Sequence, residues 1–159
     1  NIYRYNFMKI LNLNEGSFPI KLNLELDKLS VPEIGKLKED LKIEAKISKI
    51  SKNILNCDGD IHGVFIDICQ NCLNETEVVI INKIEVAIKD IKELLIDSSN
   101  QDQTHYQDLE FFNIESFIEE EVALIYPNIV KCSQDCNTEE SVYETERNLP
   151  FKKIRDLID

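Results

Sequence analysis

The chain is 159 residues long, 43% hydrophobic and 30% charged, a size and composition that suit one ordinary domain with a core of its own. No apolar run approaches the roughly 20 residues of a membrane-spanning helix, so no membrane partner is expected. The net charge of −12 is lopsided: residues 93–159 hold 16 acidic and 5 basic side chains, against 14 and 13 in residues 1–92, an asymmetry that repels phosphate and favours basic partners.

Taken in order, the chain starts with Asn1–Tyr5, which lacks the apolar core of a signal peptide. Five cysteines is an odd number. A cytoplasmic, reducing setting is therefore expected, with thiols or a metal site in place of a disulfide framework. Residues 1–13 suit a strand or an arm, and Glu15-Gly16-Ser17 a turn. Phe18, Ile20, Leu22, Leu24 and Leu26 then alternate with polar residues, the period of a half-buried strand, with Pro19 at its start or on an edge. Residues 27–40 suit a short helix or a loop, Ser30 capping and Pro32 in the first turn.

Leu41, Ile43, Ala45 and Ile47 predict a second strand with one wet face. Residues 49–56 are expected to run into a partner strand, with Asp58-Gly59 as a tight turn. Ile61–Ile68 should return as a strand with Val64, Ile66 and Ile68 on one face. Cys69-Gln70-Asn71-Cys72 turns the chain, and Val78, Ile80, Ile84, Val86 and Ile88 share one parity in the next run. Connections this short cannot make parallel crossovers, so an antiparallel meander is expected.

Residues 97–107 form a polar stretch expected to be a flexible loop. Asn113 is a good cap for a helix over Ile114–Tyr126, with Ile114, Phe117, Ile118, Val122 and Ile125 as its apolar stripe. Glu115 and Glu119 suit its positive end, Pro127 stops it, and Glu119-Glu120-Glu121 should mostly face water. Phe151, Ile154, Leu157 and Ile158 suggest a short closing helix. The expected fold is a single α+β domain over 1–159: an antiparallel β meander, a long acidic helix and a short C-terminal helix.

Two cysteine pairs carry the clearest chemical signal. Cys69 and Cys72 have knuckle spacing, and Cys132 and Cys136 lie within the range for a second pair, so the four could hold one structural zinc. Half-buried free thiols and a redox disulfide within Cys69–Cys72 stay open as alternatives. Cys57, before the expected turn, reads as a free thiol. His62 and His105, the only histidines, lack a spaced nucleophile and should face solvent. The four glycines are isolated and make no phosphate loop. Nothing assembles a reacting site or a small-molecule substrate site, so no enzyme is expected. Glu119, Glu120, Glu139 and Glu140 are the candidate contacts for a basic partner. Lys42, Lys46, Lys152, Lys153 and Arg155 are the candidates for direct RNA contact.

Four stretches, in order, resemble the YceD family of large-ribosomal-RNA-subunit accumulation proteins. They are Gly63–Leu73 with the first cysteine pair, Asn113–Pro127, the Cys132/Cys136 segment, and Leu149-Pro150-Phe151 with Ile154 and Leu157. The match covers roughly residues 41–159. Asn71 departs from it, since the family usually has Arg or Lys there, and the extra tail cysteines of some members are absent. The resemblance implies a bacterial-type cytoplasmic factor needed for accumulation of large-subunit ribosomal RNA. Its expected partner is a basic ribosomal protein or a pre-ribosomal large-subunit surface, with direct RNA binding or an unrelated partner as the other readings.

Overall fold

The computed structural model describes residues 2–4, 10–96, 103–132 and 136. Three long strands dominate it: β4 (Lys36–Ser51), β5 (Ile54–Ile68) and β6 (Glu75–Asp90). With β3 (Ile20–Leu26) they form the expected antiparallel meander. Two short strands extend it, β1 (Ile2–Arg4) beside β3 and β7 (Thr104–Gln107) beside β6, and both pair in parallel. Long connections make this possible. Residues 91–103 separate β6 from β7, including a 3-10 turn over Ile91–Leu95, and such a length permits the crossover that a tight turn forbids. The sheet order is β1-β3-β4-β5-β6-β7. A separate pair, β2 (Ile10–Leu11) with β8 (Phe112–Asn113), leads into helix α1 (Ile114–Ile125).

One face of the sheet is apolar and covered. Leu41, Ile43, Ala45 and Ile47 of β4 share it with Leu55, Cys57, Ile61 and Phe65 of β5 and Ile80, Ile84, Val86 and Ile88 of β6, all buried. Phe117, Ile118 and Val122 of α1 complete this core, with Leu13, Leu109 and Phe112 from the β2–β8 side. The alternation places every second residue on the other, wet face. Helix α1 starts as expected, the Asn113 side chain accepting from the Ser116 N–H. It runs 12 residues, and among the described residues no longer acidic helix is present. No helix among the described residues is long and apolar enough to cross a membrane. The closing helix expected at Phe151–Ile158 and the first part of the polar loop, 97–102, lie outside the described residues.

Several local expectations are corrected. The β4–β5 hairpin turns at Lys52-Asn53, and Asp58-Gly59 lies inside β5, paired with Lys46 and Ala45. The glycine serves close approach: a Cβ at position 59 would sit 2.3 Å from the Glu44 carbonyl oxygen. Val64, Ile66 and Ile68 share one face of β5 as expected, and it is the open one: the buried parity is odd, so Val64 and Ile66 are half-buried and Ile68 is exposed. Of the two forms expected for residues 27–40, the loop holds for 27–35, and Lys36–Asp40 already belong to β4. Pro32-Glu33 is a turn with Glu33 in the left-handed region at φ 63°. The end of the expected polar loop is β7, held by its ladder to Ala87–Asp90.

Gly59→Ala should therefore cost about 1–3 kcal/mol, because the methyl group meets backbone that cannot move alone. Gly16→Ala, whose nearest contact is the flexible tip of Ile20 at 3.2 Å, should stay within about 0.5 kcal/mol. Urea midpoints of the two variants check this. Equal midpoints would mean that β4 and β5 are not held that closely.

Candidate metal centre

The loop joining β5 to β6 is built on Cys69. Its N–H donates to the Asn74 carbonyl at 2.9 Å, and its own carbonyl accepts from Leu73 N–H at 2.9 Å. Leu73, just after the second cysteine of the pair, adopts φ 61°. Glycine suits that conformation best, and a leucine there stores of order 1–2 kcal/mol of strain. The turn thus forms without the flanking glycine that would have announced it in the sequence.

The second pair arrives from the end of α1. Tyr126 ends the helix, and its hydroxyl donates to Asp67 Oδ2 at 2.5 Å while accepting from Gly35 N–H at 3.0 Å. Its ring packs edge-on against Phe65, with centroids 5.3 Å apart. The helix end is thereby clamped to β5 two residues before Cys69. Burial, followed by the bond to Asp67, pushes the Tyr126 hydroxyl up to about 12, so it stays a donor near neutral pH. Pro127 then redirects the chain. Gln70 N–H donates to the Val130 carbonyl at 2.9 Å, laying residues 130–132 along the knuckle.

All four sulfurs meet there. The Sγ atoms of Cys69, Cys72, Cys132 and Cys136 lie within 4.8 Å of one another. Cys69 to Cys136 is 3.5 Å and Cys72 to Cys132 is 3.6 Å. A zinc ion with four bonds of about 2.3 Å needs sulfurs about 3.8 Å apart, while a disulfide needs about 2.05 Å. The cluster therefore has the dimensions of a closed tetrathiolate site and can hold a structural zinc. Cys69 is fully buried and the other three are half-buried.

The backbone also prepares the sulfurs for a cation. The Cys132 N–H points at Cys69 Sγ from 3.3 Å. That amide, followed by the Cys72 amide, holds the Cys69 thiol down at about 6 against the opposing effect of burial, with the Asn71 amide and the Cys136 thiol adding to the lowering. Cys136 is pushed up, first by its contact with the Cys132 thiol and then with Cys72. Without a metal, the Cys69 sulfur is favoured as the thiolate, while the Cys132 and Cys136 thiols are held toward their protonated forms by their contacts with the other sulfurs. A divalent cation would let all four ionise. Such a site leaves no open coordination position, so its role is structural.

The other sequence candidates are dispersed. Glu119 Oε1 accepts from Ser30 N–H at 2.7 Å, tying the 28–34 loop to the helix. Glu120 Oε2 lies 2.8 Å from His105 Nδ1. His105 was expected in solvent but is buried, on β7 against Phe117 at 5.0 Å. Gln107 fixes its tautomer. Gln107 Oε1 accepts from Asn113 N–H at 2.5 Å, and its Nε2 donates to the Asn113 carbonyl at 3.1 Å and meets His105 Nε2 at 2.9 Å. His105 Nε2 is therefore the acceptor, and the neutral ring carries its proton on Nδ1 facing Glu120. Glu121, expected in water, is buried. Burial, then the neighbouring Glu120, pushes it up to about 7. Cys57 is fully buried mid-strand, its thiol pushed up to about 12 by burial, so it is inert packing. His62 is exposed, as expected. Lys42 and Lys46 are exposed on the open face, but Glu25 stands opposite Lys42, and Asp58 opposite Lys46. Glu139, Glu140, Lys152, Lys153 and Arg155 lie outside the described residues.

Protein purified without chelator should carry near-stoichiometric zinc, and Cys132→Ser should abolish it. Stripping the metal should lower stability by about 4 kcal/mol when free zinc stood about a thousandfold above its Kd, read as a fall in Tm. Full stability of a metal-free, reduced protein would rule the site out as a structural staple. Glu121 gives a pH prediction. Its folded pKa of about 7 lies above the ordinary 4.5, so the folded state holds the extra proton and stability falls as pH rises from 4.5 to 7. Glu121→Gln should gain about 1–2 kcal/mol at pH 8, well under full conversion of the shift because the carboxyl retains some contact with water. The gain should vanish near pH 4.5. His105, pushed down by burial, slopes the opposite way below about 6.5, so the difference between variant and parent in urea at each pH isolates Glu121.

Compared with known proteins, the chain matches no family model, no curated protein and no solved structure.

Proposed function

We propose that the chain is a non-enzymatic interaction module that supports accumulation of large-subunit ribosomal RNA, working in the cytoplasm by binding a basic ribosomal protein or a basic pre-ribosomal surface. The observation that carries this reading is the meeting of the four cysteines. A closed site of that kind supports rigidity and binding and leaves no coordination position for a substrate. It also ties the sheet to Cys136, the residue that precedes an acidic run in the sequence.

Charge supports the choice of partner. Between Lys92 and Lys131 there is no lysine or arginine, and residues 137–146 hold four glutamates and again neither base. Complementary charge speeds encounter with a basic surface and disfavours bare nucleic acid. The resemblance to the YceD family, carried by Gly63–Leu73 and Asn113–Pro127, supports the large-subunit setting.

Zinc-loaded protein used as bait should recover a large-subunit protein at low salt and several-fold less at high salt. Glu139→Lys with Glu140→Lys should reduce recovery at low salt. Recovery of no ribosomal component at either salt would overturn the proposal. Preferential capture of naked large-subunit RNA, with a steep salt response lost on Lys42→Ala and Lys46→Ala, would favour the RNA reading instead.

A further inference from the structure

Strand β6 is only partly protected on its outer side. β7 pairs with Ala87–Asp90, and among the described residues no strand pairs with residues 75–86 on that edge. An open edge of this length is a template for another strand. Which groups it offers can be read from one bond. Ala87 N–H donates outward to the Gln103 carbonyl at 3.0 Å, and the β5–β6 register runs without a bulge from Glu75 to Lys89. The N–H and C=O of every second residue therefore point outward: Glu77, Val79, Ile81 and Lys83 among them. The side chains of these same residues lie on the open face of the sheet, where Val79 is 55% and Ile81 75% exposed.

We propose that this edge pairs with the same edge of a second copy of the chain, in an antiparallel ladder centred on Ile80. The register follows from chemistry. A two-fold axis through Ile80 puts Val79 opposite the partner copy's residue 81, an isoleucine, and Glu77 opposite the partner copy's residue 83, a lysine. Each relation occurs twice by symmetry. Both exposed β-branched side chains gain an apolar neighbour, and both outer charges gain an opposite one. All of these are outward-bonding positions, so the main-chain bonds fall into place with the same register. Shifting the axis to Ile81 would set Glu77 against the partner copy's glutamate at 85. Even in the favoured register Glu75 meets that like charge, which confines the ladder to residues 77–83. Glu77 is already paired with Lys38 through Oε1, and a carboxylate can accept from two cations at once. β7 begins opposite Ala87, beyond the ladder, and does not obstruct it. A ladder this short buries less than a large obligate interface, so association in the micromolar range is expected.

Sedimentation of the full, zinc-loaded chain across the micromolar range should show a concentration-dependent dimer. Ile81→Pro removes one outward N–H and spares the ladder to β5, so it should weaken dimerisation at least about tenfold with unchanged far-UV circular dichroism. Lys83→Glu should weaken it too, by setting glutamate against Glu77, and this surface change does not threaten the fold. Glu77→Lys combined with Lys83→Glu should restore association relative to either single change. A monomer throughout the range, a dimer indifferent to Ile81→Pro and Lys83→Glu, or no recovery in the double variant would each overturn the proposal.

Discussion

The structure depends on one constraint: three long strands that are apolar on the same side. In β4, β5 and β6 the alternation of side chains delivers Ile43, Ile61 and Ile84 to one face while Glu44, Asp60 and Lys83 stay on the other. Full burial of each aliphatic side chain is worth about 1.5–3 kcal/mol, so this face cannot remain open. The β2–β8 pair and α1 are its cover. Phe112, Phe117, Ile118 and Val122 pack into one core with the strand residues.

That cover also builds the metal centre. Once α1 lies across the sheet, its end must fall near the end of β5, and the Tyr126 bonds to Asp67 and Gly35 fix it there. Gly35 belongs to this arrangement, since a Cβ on it would stand 2.4 Å from the Ile66 carbonyl oxygen. Five residues separate Tyr126 from Cys132, and the bond from Gln70 N–H to the Val130 carbonyl brings the second cysteine pair to the β5–β6 loop. The sulfurs are 60 to 67 residues apart in sequence, yet core packing has already met most of the entropy of bringing them together. A metal then locks a convergence that the fold has prepared.

This order of causes explains what could be read in advance. Alternation is local, so the strands at Ile20–Leu26, Leu41–Ile47 and Val78–Ile88 were legible, as was the Asn113-capped helix. Asp58-Gly59 misled because glycine has two uses, positive φ and close approach, and only a neighbouring strand distinguishes them. At residue 59 that neighbour is the Glu44–Ala45 backbone. His105 and Glu121 misled because one ends a polar stretch and the other closes a run of three glutamates, while their burial is imposed by β7 pairing with β6 and α1 lying on the core. The cysteines were legible as pairs by spacing. Their meeting was not, because Tyr126, Asp67 and Gly35, which arrange it, carry no motif.

The same distinction between local and imposed features changes how the charge should be counted. From the sequence, Glu119-Glu120-Glu121 looks like the natural acidic surface of the C-terminal half. In the fold, Glu119 holds the Ser30 amide, Glu120 faces His105, and Glu121 is buried and held toward its neutral form. These three carboxyls work mainly within the domain. Under the proposed function the acidic surplus offered to a partner comes largely from elsewhere, and residues 137–146, with four glutamates and no lysine or arginine, are the candidate in the sequence. Cys136, the residue just before that run, is a member of the four-cysteine cluster. In that proposal charge supplies the attraction, and the four sulfurs hold the residue from which the run starts.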